Sequence, residues 1–119
     1  MDIKSFREYC LAKDYVTEDF PFDRTTLVFR VGGKIFAFTN IDAVPFSCTL
    51  KCDPARAIEL REMHDEITPG WHLNKKHWNT IKPSAKFDSH LFYGLVDHSY
   101  NLVFNSLTKS EKKNLLKQV

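Results

Sequence analysis

Apolar residues recur at Ile3, Phe6 and Cys10 behind Asp2, a residue able to cap free helix amides, and this spacing predicts an amphipathic helix over residues 3–13. The acidic stretch Thr17 to Asp23 contains Pro21 and reads as an ordered loop. The pattern then changes. Thr26 to Val31 (TLVFRV) and Lys34 to Asn40 (KIFAFTN) are dominated by β-branched and aromatic residues. Gly32-Gly33 between them can adopt the positive φ angles of a two-residue hairpin. A third strand is predicted over Phe46 to Cys52, where Phe46, Cys48, Leu50 and Cys52 face one way and Ser47, Thr49 and Lys51 the other. One buried face and one wet face argue for an antiparallel sheet with helices on a single side.

Asp53-Pro54 starts a second helix, with an N-cap oxygen followed by a proline whose missing N–H is harmless in the first turn. Ala57, Leu60, Met63 and Ile67 supply its buried face, and Thr68-Pro69-Gly70 ends it in a turn. Trp71 to Ile81 reads as one or two short strands with a turn near Asn74 to Lys76. Asp88 opens a long helix whose stripe joins Leu91, Leu95 and Leu102 with Phe92, Val96 and Val103. Thr108 to Glu111 is a capping box before a final Lys-rich helix that buries Leu115 and Leu116. No repeat or linker interrupts the pattern, so residues 1–119 are expected to form one α+β domain.

Composition agrees with a folded core: 43% of residues are hydrophobic, 27% are charged, and ten phenylalanines are available to fill the interior. Nothing reads as a membrane span or a secretory leader, which sets the expectation of a cytoplasmic protein with no membrane partner. Three cysteines fit that address, since an odd count makes a poor disulfide framework. Cys48 and Cys52 lie too far apart along one strand to be bridged, so buried free thiols are expected.

Charge adds a localised feature. Residues 1–68 carry nine Lys/Arg against twelve Asp/Glu, whereas residues 69–86 carry Lys75, Lys76, Lys82 and Lys86 and no acid. Within that stretch, PGWHLNKKHWNTIK joins two Trp, two His, two Asn and three Lys. Lysines neutralise phosphates, asparagines can read base edges, and exposed tryptophan can stack. Trp71, Leu73 and Trp78 could simply be core, and for the two tryptophans core packing is the preferred reading. For the lysines and asparagines, a binding surface and an ordinary solvated turn both remain open.

No Gly-rich phosphate loop, C-x-x-C, H-E-x-x-H or G-x-S-x-G motif is present. His72 and His77, or His90 and His98, are not spaced to place two rings on one face in ligand range, so no metal, cofactor or catalytic residue is assigned. The motifs PGWHLNKKHWNT (Pro69 to Thr80), VGGKIFA (Val31 to Ala37), LKCDP (Leu50 to Pro54), EDFPF (Glu18 to Phe22) and DHSY (Asp97 to Tyr100) together resemble the MmcQ/YjbR family over roughly residues 3–107. The resemblance implies a CyaY-like (frataxin-like) two-layer α/β sandwich, an antiparallel sheet with helices on one face. It also implies DNA binding through protruding β wings. By position, the wings would be the Gly32-Gly33 hairpin and the Asn74–Asn79 region, although the first carries only Arg30 and Lys34.

These readings combine into a non-enzymatic DNA-binding module. Lys51, Lys75, Lys76, Lys82 and Lys86 would meet phosphates, with Asn74, His77 and Asn79 near bases or sugars. Two alternatives are a protein-interaction adaptor using the same face or a sheet edge, and a small-molecule or enzymatic pocket near His72, His98 and Tyr100.

Overall fold

The computed structural model describes residues 1–70 and 73–117. Helix α1 (Ile3–Leu11) is capped by Asp2, whose Oδ1 accepts the Ser5 amide at 2.8 Å, and it buries Phe6 and Cys10. It stops two residues short of the predicted end, because Tyr15 takes a left-handed φ of 65° that turns the chain into β1 (Val16–Asp19). That strand replaces the predicted loop: Val16 and Thr17 are β-branched, and only the stretch from Phe20 onward leaves the sheet. The hairpin of β2 (Thr26–Val31) and β3 (Lys34–Asn40) forms as expected, with Gly32 and Gly33 at φ 60° and 79°. Strand β4 (Cys48–Lys51) follows, then α2 (Pro54–Met63), in which Asp53 Oδ2 accepts the Arg56 amide.

Helix α2 ends at Met63, earlier than its apolar spacing implied. His64 is extended, Met63 is 74% exposed, and Ile67 belongs to β5 (Ile67–Pro69). Strand β6 (Trp78–Ile81), α3 (Ser89–Ser106) and α4 (Lys109–Lys117) complete the chain. The capping box is present in both directions: the Thr108 amide donates to Glu111 Oε1, and the Glu111 amide donates to Thr108 Oγ1. In α4 only Leu115 is buried; Leu116, expected beside it, is 63% exposed.

The six strands form one antiparallel sheet in the order β1-β2-β3-β4-β6-β5. One face is covered by helices, as the alternation in β4 required. Phe6 of α1 meets Phe29 at 5.6 Å, Phe46 at 5.4 Å and Phe92 of α3 at 6.1 Å between ring centres. Of these, Phe6, Phe29 and Phe92 are fully buried, and each contributes about 1.5–3 kcal/mol. All three cysteines are buried free thiols, and desolvation pushes Cys10 up to about 12. Among the described residues no helix is long and apolar enough to cross a membrane.

A β-bulge interrupts β3. Phe29 pairs with Ala37 and Arg30 with Ile35, so Phe36 is an extra residue, and Phe36 and Ala37 both enter the core. Among the described residues the opposite face carries no helix. Register places Asp19, Val28, Phe38, Thr49, Thr80 and Thr68 in a row across all six strands of this open face.

Candidate functional site

Because β3 and β6 run parallel with β4 between them, the β2–β3 hairpin and the β5–β6 loop emerge from the same end of the sheet. They differ in how they are held. A Cβ on Gly32 would lie 2.7 Å from Leu107 Cδ1, so the hairpin is docked on the junction of α3 and α4. Its cations are engaged as well: Arg30 Nε bonds Asp19 at 3.0 Å, and Lys34 lies 3.9 Å from Glu111. The hairpin does not project as a wing, which corrects the expectation drawn from the resemblance.

The β5–β6 loop is held differently. Its base is closed by the Gly70 amide donating to the Trp78 carbonyl at 2.9 Å, and a Cβ at Gly70 would come within 2.9 Å of Trp78 Cβ. Arg61 of α2 reaches in from the helical side and donates to the Lys75 carbonyl (2.9 Å) and to Asn79 Oδ1 (3.2 Å). Asn74 closes a local turn by accepting the Lys76 amide at 2.9 Å. Trp71 and His72, both singled out above, lie outside the described residues.

The eight predicted contact residues are not one surface. Lys51 sits on the open face directly opposite Trp78 in the ladder, and Asn74, Lys75, Lys76 and His77 lie in the adjoining loop. Lys82 follows the far end of β6, about 13 Å from Trp78 at 3.3 Å per residue. Lys86 lies further on, before the Asp88 cap of α3. Asn79 must be withdrawn from the set. It is 3% exposed on the helical face, where Nδ2 donates to the Ala57 carbonyl and Oδ1 accepts from Arg61. A buried amide needs such partners, and here they tie β6 to α2.

Sequence reasoning also missed a cleft on the open face. Its floor is Ile35, Phe38, Thr49, Trp78 and Thr80; Phe22 rises from the β1–β2 loop and Leu73 from the β5–β6 loop to wall a volume of about 780 Å³. Trp78 is half-buried against Phe38, with ring centres 6.1 Å apart, so it belongs to this face and not to the core expected for it. Leu73 is exposed there too. A usable signal was present in β3, whose Ile35 and Phe38 make even the supposedly wet face apolar.

The motif DHSY resolves into four pins on α3. Asp97 accepts from Tyr9 Oη at 2.8 Å and from Lys13 Nζ, both near the end of α1. His98 Nε2 accepts the Asp53 amide at 3.1 Å, at the cap of α2. Ser99 accepts the Lys51 amide at 2.8 Å and donates to the Phe36 carbonyl, bridging β4 to the bulge in β3. Tyr100 donates to the Asp14 carbonyl at 2.7 Å. Desolvation and the charge of Arg56 push His98 below an ordinary imidazole. Tyr100 lines a shallow hollow with Lys13 and Asp97, and His98 is not part of it. The two side chains therefore do not converge as a pocket around them required. Neither sheet edge invites an added strand. Edge strand β1 is four residues long with two acids, and β5 is three residues long and ends in Pro69.

Comparison with known proteins sets these features in context. The family model described as YjbR matches residues 11–102. The chain is 34% identical to the uncharacterized protein YbdF of Escherichia coli O157:H7 over 97% of its own length and 98% of that protein. It is 32% identical to the uncharacterized protein YjbR of Escherichia coli K12 over the full length of both. Among solved structures, Deinococcus radiodurans protein DR2400, with family-model domain DUF419, superposes with a TM-score of 0.88 at 40% identity, over 95% of this chain and 86% of that one. A Pseudomonas syringae protein gives 0.74 at 25% identity, over 87% of this chain and 99% of that one.

Proposed function

The chain belongs to the YjbR family, and for it we propose a non-enzymatic role in binding DNA through the phosphate backbone, at the end of the open sheet face that carries the β5–β6 loop. The observation that carries this reading is the placement of Lys51, Lys75 and Lys76 around Trp78 at that end. Arg30 and Lys34 close by are paired with Asp19 and Glu111. Of the acids on the same face, Asp19 is held by Arg30, and Asp23, which keeps its charge while accepting from Thr25 and Thr26, lies before β2 at the opposite end of the sheet from the β2–β3 hairpin.

Asn74 and His77 stand beside the lysines, while Lys82 and Lys86 lie beyond the far end of β6 and serve a longer DNA segment only. With about three phosphates neutralised, the logarithm of affinity should fall against the logarithm of salt with a slope of about −2.7. Fluorescence anisotropy with a labelled duplex at low salt measures this. Replacing Lys51, Lys75 and Lys76 together by Ala should abolish binding, whereas Lys82→Ala/Lys86→Ala should weaken it only severalfold. Equal binding by the triple variant would remove the proposal.

A further inference from the structure

The cleft on the open face has no part in holding a phosphate backbone, yet it lies immediately beside the lysines. Trp78 belongs to both: it faces Phe38 across the cleft floor and stands opposite Lys51 on the neighbouring strand. The volume of about 780 Å³ is that of a small-molecule site. Its walls are aromatic and aliphatic. Its neutral polar groups are the Asn40 carboxamide and several hydroxyls, among them Thr49 and Thr80, whose oxygens lie 2.9 Å apart. The one carboxylate lining it, Asp23, already caps Thr25 and Thr26. Such a lining suits a planar, uncharged group with hydrogen-bonding edges, and the adjoining cations require that group to be joined to an anion. A nucleobase on its phosphodiester backbone meets both conditions.

We infer that this cleft receives an unstacked base, so that the site prefers single-stranded to duplex nucleic acid. The inference rests on the phosphate-binding reading above and adds its substrate class. Bases within a duplex are stacked and paired on every side, and only a flexible strand can turn one into a cleft while its phosphates remain on Lys51 and the β5–β6 loop. Phe22, 69% exposed at the rim, stands where it can close over the entering ring.

The test is anisotropy of the full chain at about 20 mM salt with two labelled probes, a 12-nucleotide oligothymidylate and a blunt 12-base-pair duplex. The single strand should bind about tenfold more tightly. Trp78→Leu should lower its affinity about tenfold, as loss of one stacked base does. Phe22→Ala, at an exposed position that does not support the core, should lower single-strand affinity severalfold and answers the same question if Trp78→Leu fails to fold. Equal binding of both probes, or insensitivity of the single strand to Phe22→Ala, overturns the inference while leaving the phosphate-binding reading intact. Absence of binding by either probe removes both.

Discussion

Ser99 shows how one buried hydroxyl can hold a sheet together. The bulge at Phe36 interrupts the ladder between β2 and β3, and on the β4 side the Ser99 hydroxyl takes up the Lys51 amide and the Phe36 carbonyl. Ser99 is fully buried, so no water can replace it. A Ser99→Ala variant leaves a donor and an acceptor unsatisfied and should lose about 2–6 kcal/mol, at about 1–3 kcal/mol for each group. Urea denaturation would show this as a lower midpoint with an unchanged slope. Asn79 makes a related point. As a polar residue in the basic stretch from Pro69 to Lys86 it reads as a surface contact, but its amide satisfies α2 in the interior. Side-chain polarity alone cannot separate those two fates, because a buried amide and an exposed one are written with the same letter.

At the scale of elements, the β5–β6 loop is held by its partner helix. Arg61 bonds both the loop backbone at Lys75 and the Asn79 carboxamide, so helix α2 anchors the main chain that carries the lysines. An Arg61→Ala variant should keep its fold, with a loss of about 1.5–3 kcal/mol, the range for a hydrogen bond from a charged group. It should also be cut by trypsin at Lys75 and Lys76 severalfold faster than the parent protein, a difference that gel electrophoresis of a timed digest would reveal. The elements that sequence made legible were those with strong local chemistry: the Gly32-Gly33 turn, the Asp53-Pro54 start, the alternation through β4 and the Thr108–Glu111 capping box. Strands β1 and β5 escaped notice because short edge strands bury little. VTED and ITP contain few apolar residues, and their pairing is decided by neighbours far along the chain. Ile67 continued the spacing of α2 and so concealed the break at His64. The cleft escaped for a different reason: it arises only when Phe22 and Leu73, fifty-one positions apart, are brought over one sheet face.

Across the whole molecule, stability should depend on pH through His98. Burial holds its ring below an ordinary imidazole, and the ring accepts the Asp53 amide only while Nε2 is unprotonated. The unfolded chain therefore binds this proton more readily than the folded one. Stability from this contact is fully present above pH 6.5 and is lost as pH falls through the lowered value of the folded state. Thermal midpoints recorded between pH 7.5 and 5.5 should fall for the parent protein, and His98→Gln should flatten that slope, well above the range where carboxylates titrate. The same helix carries a second, geometric consequence. Asp97, His98, Ser99 and Tyr100 are consecutive, so their pins leave α3 about 100° apart and engage α1, α2, the sheet and the turn before β1 in succession. A rod fastened on every side can neither roll nor slide. One residue inserted between Phe92 and Asp97 would rotate all four pins past their partners at once, whereas the Ile41–Ser47 connection on the sheet could lengthen without disturbing any of them. Length variation in relatives of this chain should therefore collect in that connection and spare the middle of α3.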